Sequence, residues 1–291
     1  MLTYNGKVVT SPAGKWPYHL PAYTLRIRTS FIQTPFANYG TFTRVGGAGS
    51  NLWDWTYESP VWENVFENKW WIKEVVAAGD TSGVTSTSRL FVNCTGMESV
   101  YPFDTSNVTD MSMMFAGCES MTTAPSIDTS KVTTMYGMFA SCKALSSVPL
   151  YDTSNVTDMS EMFNQCYALT SVPQFDTTKV TNMKLMLHIT PISSVPLFDT
   201  SNVTDMSMML QSCVNLTELP LFDTSSATDV SNAFYECLSV ETGALALYQQ
   251  MSSQSSPPST YTGCFTNCGL LTTTGAAELA QIPTSWGGTG E

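Results

Sequence analysis

An internal repeat runs through this 291-residue chain and constrains its fold more than any other feature. Its most regular position is an aspartate followed by threonine. These aspartates are Asp80, Asp104, Asp128, Asp152, Asp176, Asp199 and Asp223, at steps of 24 residues apart from one step of 23 before Asp199. A fixed period of roughly 20–50 residues is typical of proteins whose units stack, because one unit cannot bury its own apolar side chains. The sequence therefore predicts a solenoid of seven coils.

The apolar positions within one unit predict its local structure. They recur every three or four residues, at Val156, Met159, Met162, Phe163 and Cys166. This stripe is typical of a short amphipathic helix. The segment after it predicts a short strand that ends near Pro173, since proline has no amide to donate to a ladder. Asp176 then predicts a turn, because an aspartate carboxylate accepts hydrogen bonds from nearby amides.

These signals divide the chain into four regions. We expect a leucine-rich-repeat-like α/β solenoid over residues 80–242, with a short strand, a turn and a short helix in each coil. A degenerate repeat at 59–79 is expected to cap the first coil, and two amphipathic segments predict a helical cap at 243–291. Residues 1–58 depart from the repeat. Their alternating segment 24–28 predicts a strand, so we expect a small β-containing region that docks to another protein.

Charge and hydrophobicity exclude some classes of partner. Hydrophobic residues make up 43% of the chain, which suffices for a sizeable core. The net charge of −12 argues against nucleic acid and anionic membranes, because both attract surfaces rich in Lys and Arg. No apolar run of about 18 residues predicts a transmembrane helix. The segment after Met1 lacks the features of a secretory signal, so a start in the cytoplasm is expected.

The repeated cysteines, aspartates and methionines are candidates for metal or redox chemistry. Six of the eight cysteines share one position of the repeat: Cys94, Cys118, Cys142, Cys166, Cys213 and Cys237. We interpret them as core packing, with disulfides between coils and a zinc site at Cys264 and Cys268 as alternatives. The aspartates are interpreted as turn residues, with Ca²⁺ binding as the alternative. The methionines are interpreted as core filling, with an oxidation switch or a soft-metal site as the alternative. No catalytic motif occurs, so we expect no catalytic residue, cofactor or bound metal.

The positions that vary between units are the candidates for an interaction surface. One such position precedes the repeated aromatic residue, and a second follows the cysteine. The candidate residues are Leu150, Gln174, Leu197, Leu221, Lys143, Tyr167 and His188. His188 lies in the unit that is one residue short and lacks its cysteine. That unit is interpreted as drift in a tolerant copy, with a kink or a contact point as the alternative.

The repeat carries a resemblance to a known family. Its pattern MFxxCxxLTxVPxFDTSxVTxMSxMFxxC resembles the BspA-like branch of leucine-rich repeats, found in surface proteins of bacteria. The C-terminal passage GALALYQQ…FTNCG…TTGAAELAQIPTSW is similar to the ends of repeat proteins from gut Bacteroidales and their tailed phages. The resemblance covers about residues 61–240. It implies a repeat fold and a surface for adhesion or display, without a shared chemistry.

The resemblance and the composition together lead to a functional expectation. We expect a non-enzymatic structural or interaction protein of a phage virion, such as a fibre, decoration or host-adhesion component, assembled in the host cytoplasm. Its residues 1–58 would bind other virion proteins, and a homo-oligomer is left open. The alternative is a bacterial cell-surface adhesin that binds a host protein or glycan.

Overall fold

A five-stranded mixed sheet occupies the N-terminal part of the chain in the computed structural model. The residues that the structure describes are 3–4, 7–8, 24–30, 41–45, 50, 52–57 and 59–291. The strands of the sheet are β3 (Thr24–Thr29), β4 (Thr41–Val45), β5 (Leu52–Thr56), β6 (Ile72–Ala78) and β7 (Ser99–Val100), in the order β4-β5-β3-β6-β7. All neighbours are antiparallel except the parallel pair β6 and β7. Two short strands, β1 (Thr3–Tyr4) and β2 (Lys7–Val8), form a separate antiparallel pair.

Strand β3 is buried on both faces, β5 is buried on one, and an ion pair joins these two strands. Ile27 lies opposite Trp53, and both side chains are buried. The Arg26 side chain is only 2% exposed, and its Nε lies 2.6 Å from Asp54 Oδ1. Its Nη2 donates to the second carboxylate oxygen of Asp54 at 2.8 Å. This two-pronged contact compensates the guanidinium for the hydration that it loses on burial.

The repeats stack directly on this sheet. Strand β6 belongs to the predicted cap at 59–79, yet it pairs with β3 on one side and with β7 of the first unit on the other. Single parallel bridges then link one unit to the next, as between Asp110 and Thr134 or between Asp205 and Asp229. We call residues 80–242, in this arrangement, the repeat stack. The boundaries of the four predicted regions stay predictions.

Stacked side chains fill the interior of the repeat stack, and the predicted core positions of valine, methionine, phenylalanine and cysteine are confirmed as buried. Phenylalanines form a continuous ladder with ring centroids 5.5 to 6.0 Å apart: Phe66, Phe91, Phe115, Phe139 and Phe163. The next two units have Leu187 and Leu210 at this position. The aromatic contacts continue there through Phe175 and Phe198, which lie in the neighbouring aromatic column.

The predicted helix in each unit is wrong. In the unit from Met111 to Cys118, amides alternate between two kinds of partner. The Met113 and Phe115 amides donate to carbonyls of the next unit, at 2.7 and 2.9 Å. The Ala116 and Cys118 amides instead close turns by donating three residues back, at 3.1 and 3.0 Å. Met113 has a positive φ of 54°, which no α-helix accommodates. This segment is therefore a run of β-turns. The amides that do not close a turn donate to the next unit and so join the two units.

The predicted α/β solenoid with a helical cap is accordingly corrected. Its predicted helices are replaced by turns, and beyond the first unit its predicted strands are replaced by isolated bridges. The N-terminal β structure is a mixed sheet that includes strands from 59–79 and from the first unit. The α-helices of the described chain are α1 (Ala244–Ser252) and α2 (Thr273–Leu279), of nine and seven residues. A short 3-10 segment, Thr284–Trp286, follows. In the described part of the chain, no helix has the length and apolarity required to cross a bilayer.

Candidate interaction surface

A three-residue turn produces the most exposed apolar side chains of the repeat stack. The turn begins at the proline of the VPxF segment, and the amide of the following aromatic residue donates back to the proline carbonyl. This distance is 3.0 Å for Phe175 and Pro173, 2.9 Å for Phe198 and Pro196, and 2.8 Å for Phe222 and Pro220. Such a γ-turn bends the chain sharply at its central residue. The aromatic side chain is buried, and the central residue extends into solvent.

The central residues of these three turns, together with Leu150 at the same position of the preceding unit, form a ridge along four consecutive units. We call Leu150, Gln174, Leu197 and Leu221 the leucine ridge. The leucines are 68%, 61% and 57% exposed in chain order, although the other large apolar side chains of these units are mostly buried. The side-chain amide of Gln174 donates to the Leu197 carbonyl at 3.1 Å, which joins two neighbouring positions. Parallel-bridged units lie about 4.8 Å apart, so the ridge extends over roughly 15 Å.

Exposed carboxylates run alongside this ridge. They belong to the aspartates two residues after each ridge position, which we call the Asp column: Asp152, Asp176, Asp199 and Asp223. Each Oδ1 accepts the backbone amide two residues on, at 2.9 to 3.0 Å. These bonds confirm the predicted turn role. The hydroxyl and amide of Thr178 lower the pKa of Asp176, and those of Ser201 lower the pKa of Asp199. Both carboxylates are therefore charged at neutral pH.

The structure places the other predicted surface residues in two further columns. Lys143 Nζ forms an exposed ion pair with Glu119 at 2.8 Å. Tyr167, one unit further, is 47% exposed, and its hydroxyl contacts Gln165 Oε1 at 3.4 Å. His188 lies in a different part of the unit and contacts Asn164 Oδ1 through Nδ1 at 2.9 Å. Burial lowers the pKa of His188. The seven predicted residues therefore do not form one site, and four of them form the leucine ridge.

The cysteines are core residues, and the six at the repeat position donate a hydrogen bond within the core. All eight are free and buried. The thiol of Cys118 donates to the Phe91 carbonyl of the preceding unit at 3.3 Å, and that of Cys142 to the Phe115 carbonyl at 3.1 Å. Desolvation raises the pKa of both thiols well above its usual range. Among the described residues, no group of three or more His, Cys, Asp or Glu side chains lies close enough to hold a metal ion.

The short unit contains an irregularity that the sequence indicated only by its missing residue. In most units the threonine after the aspartate donates to the aspartate carbonyl of the next unit, as from Thr153 to Asp176 at 2.8 Å and from Thr200 to Asp223 at 2.7 Å. The buried hydroxyl of Thr177 has no such partner. Only 22 residues separate it from Asp199 (199 − 177), against 23 from Thr153 to Asp176 (176 − 153). The deletion therefore leaves one polar group unpaired.

Two features of the surface were missed in the sequence. The sequence interpretation of the aspartates covers turn structure and Ca²⁺ binding, but not a surface that they share with the leucines two residues before them. Val214 and Leu271 are exposed apolar residues outside the ridge, at 41% and 72%. Val214 lies at the variable position that follows the cysteine, as Tyr167 does, so the repeat pattern predicts its exposure. Leu271 lies beyond the regular repeat and had no periodic signal.

Comparison with known proteins identifies a family. No curated protein and no solved structure matches the chain significantly. The family model described as "Mycoplasma protein of unknown function, DUF285" matches three overlapping segments, residues 61–171, 123–191 and 145–248. Together they span residues 61–248, or 188 of the 291 residues (248 − 61 + 1). The chain therefore belongs to the DUF285 family, which is consistent with a BspA-like repeat protein.

Proposed function

We propose that this chain is a non-enzymatic interaction protein that binds a partner protein along the leucine ridge. The observation that carries the proposal is the exposure of Leu150, Leu197 and Leu221 by more than half in units that bury most of their other large apolar side chains. Burying a leucine contributes about 1.5–3 kcal/mol. A partner that covers the ridge would therefore gain this free energy by burying the leucines. A row of apolar side chains bordered by polar ones is typical of a protein-binding surface.

The chemistry of the reactive side chains supports a binding role over catalysis. Burial raises the pKa of Cys94 and Cys166 to about 12, so their thiolate forms, which act as nucleophiles, are scarce at neutral pH. His188 is half-buried and contacts Asn164 rather than a nucleophile or a carboxylate. The net charge of −12 favours a protein over nucleic acid or an anionic membrane as the partner.

We place this interaction protein on a phage particle assembled in the host cytoplasm. The resemblance of the C-terminal passage to ends of phage and Bacteroidales repeat proteins supports this setting. Residues 1–58, most of which lie outside the described residues, would bind other virion proteins. The second candidate is a bacterial surface adhesin for a host protein or glycan. Membership of a BspA-like family favours it, because such repeats resemble those of bacterial surface proteins.

Fractionation separates the two settings. The tagged chain is produced in its natural host, and particles and uninfected-cell envelopes are purified separately. Constant copy number in purified particles supports the virion setting, whereas recovery on uninfected envelopes supports the adhesin. Recovery from the soluble cell fraction alone contradicts both. Removal of residues 1–58 tests docking, because continued incorporation into particles contradicts that role.

Cross-linking mass spectrometry tests the ridge in whichever fraction holds the chain. A variant with three substitutions, Leu150→Ser, Leu197→Ser and Leu221→Ser, is expected to lose its cross-links to the partner. The matched control removes exposed apolar side chains elsewhere, by Tyr167→Ser, Val214→Ser and Leu271→Ser, and is expected to keep them. Unchanged cross-links in the ridge variant would contradict the proposed function.

A further inference from the structure

We infer that the leucine ridge and the Asp column together bind an extended polypeptide segment of the partner that carries basic side chains beside apolar ones. This inference rests on the proposed function and specifies its partner. The ridge supplies apolar contacts and the Asp column supplies charge. Neither column alone defines this partner, because one segment has to contact both columns on the same face.

The geometry of the VPxFD segment places both columns on one face. In each of these units the residue between the ridge position and the aspartate is buried, as Phe198 is between Leu197 and Asp199. Leu197 and Asp199 are both exposed while the aromatic residue between them faces the core, so both side chains lie on the solvent side of the segment. The face therefore presents a stripe of leucine side chains beside a parallel stripe of carboxylates. Both stripes extend over roughly 15 Å, or three steps of about 4.8 Å.

The charge of this face is negative throughout its length. Each carboxylate of the Asp column uses Oδ1 for its turn. Hydrogen bonds from Thr178 are the main cause of the lowered pKa of Asp176, and Lys179 adds to it, while the Lys179 Nζ donates to Asn155 Oδ1 at 2.8 Å. Asp176 and Asp199 carry like charges in adjacent units, so they repel each other. A basic side chain that lies between two units relieves this repulsion, so the face favours lysine or arginine in its partner.

The same charges argue against a second copy as the occupant. Two identical ridges packed face to face with their Asp columns on the same side would bring like charges together, which costs free energy. A stable protein dimer also buries about 800 Å² on each partner. Three partly exposed leucines supply on the order of a few hundred Å². The face is therefore suited to a short segment rather than to another folded surface of its own kind.

Peptide binding to the full chain tests this inference. Three labelled probes are compared by fluorescence anisotropy: two Lys-Ser-Leu-Ser repeats (the Lys-Leu peptide), two Glu-Ser-Leu-Ser repeats (the Glu-Leu peptide) and two Lys-Ser-Ser-Ser repeats (the Lys-Ser peptide). The charged residue and the leucine are two positions apart, so an extended peptide presents both on one side. We expect the Lys-Leu peptide to bind at least tenfold more tightly than either other probe, and to weaken several-fold between about 50 and 300 mM salt, because added ions screen exposed charges. Equal binding of the Glu-Leu or the Lys-Ser peptide, or no binding of any probe, overturns the inference.

Variants distinguish the face from general attraction to an acidic protein. The ridge variant contains Leu150→Ser, Leu197→Ser and Leu221→Ser, and the column variant contains Asp152→Asn, Asp199→Asn and Asp223→Asn. Asparagine keeps the acceptor of the turn and removes the charge. We expect each variant to weaken Lys-Leu binding at least fivefold. The control, Asp80→Asn with Asp104→Asn, changes equivalent turns beyond the ridge and is expected to leave binding within twofold. Equal losses in the control and column variants overturn the inference.

Two further measurements keep the outcomes separate. Circular dichroism melting checks that all variants fold. We expect them to do so, because the changed side chains are exposed. Sedimentation velocity reports self-association: a dimer of the unmodified chain that the ridge variant abolishes assigns the ridge to a second copy and overturns the inference. If cross-linking shows a ridge-dependent partner while the Lys-Leu peptide does not bind, the proposed function stands and only the partner class is wrong.

Discussion

The backbone amide of Phe198 donates to the carbonyl oxygen of Pro196 at 2.9 Å. This turn buries one of two adjacent side chains and exposes the other. Phe198 is 2% exposed and Leu197 is 61% exposed. Phe198 therefore contributes to stability and Leu197 to the surface, and each can be substituted without changing the other.

We expect Leu197→Ser to change the free energy of unfolding by no more than about 0.5 kcal/mol, because an exposed side chain has few contacts to lose. Phe198→Ala is expected to destabilise the chain by about 3–5 kcal/mol, since it leaves a cavity among stacked aromatic residues. Urea unfolding followed by circular dichroism measures both. Similar losses in the two variants would show that Leu197 is packed against the protein.

Thr177→Val is expected to be neutral or to stabilise the chain, because it removes a buried hydroxyl that has no hydrogen-bond partner. The matched control is Thr153→Val, which removes the donor to the Asp176 carbonyl. That change is expected to cost about 1–3 kcal/mol. Thermal and urea unfolding of both variants check the contrast, and equal destabilisation would contradict the assignment of an unpaired hydroxyl.

Gly117→Ala is expected to destabilise the chain more than Gly137→Ala. Both glycines have positive φ, 73° and 57°, so each alanine adds about 1 kcal/mol of backbone strain. A Cβ at Gly117 also collides with the Asn93 side chain and backbone. At Gly137 it meets the flexible Met113 side chain, at 3.2 Å. Unfolding midpoints of the two variants test the order, and a larger loss at Gly137 would contradict it.

The melting temperature is expected to fall as the pH drops below about 3.8, the ordinary pKa of an aspartate. Hydrogen bonds within the turns lower the pKa of Asp176 and Asp199 in the folded chain. A lowered folded pKa stabilises the fold above the unfolded value, and this stabilisation is lost as the pH falls through the folded one. The double variant Asp176→Asn with Asp199→Asn is expected to lose less between pH 5 and pH 2.5. An identical pH profile would contradict the role of these carboxylates.

Thiol reagents are expected to react with the native chain far more slowly than with the unfolded chain. Cys118 and Cys142 are fully buried, and desolvation raises the pKa of both thiols. Dithionitrobenzoate absorbance in buffer and in guanidinium measures the difference, with all eight cysteines reacting after unfolding. Rapid reaction of several thiols in buffer would contradict the core assignment.

The sequence by itself determined which side chains are buried. The 24-residue period, the aspartate turns and the core positions of valine, methionine, phenylalanine and cysteine all agree with the structure. It also identified Leu150, Leu197 and Leu221 as surface residues, because these positions vary while their neighbours repeat. This was possible because a side chain at a given position of the repeat is buried or exposed in the same way in nearly every unit.

The tertiary structure decided the backbone conformation. The stripe from Val156 to Cys166 was compatible with a helix, since turns three residues long bury side chains at almost the same spacing. The Glu161 and Phe163 amides donate to Lys184 and Met186 of the next unit, 23 residues away in each case (184 − 161 and 186 − 163). No pattern within one unit specifies such a partner. The amides of a helix donate to carbonyls of the same helix. In these units about half of the amides in the predicted helix segment donate to carbonyls of the next unit, which requires the units to be stacked.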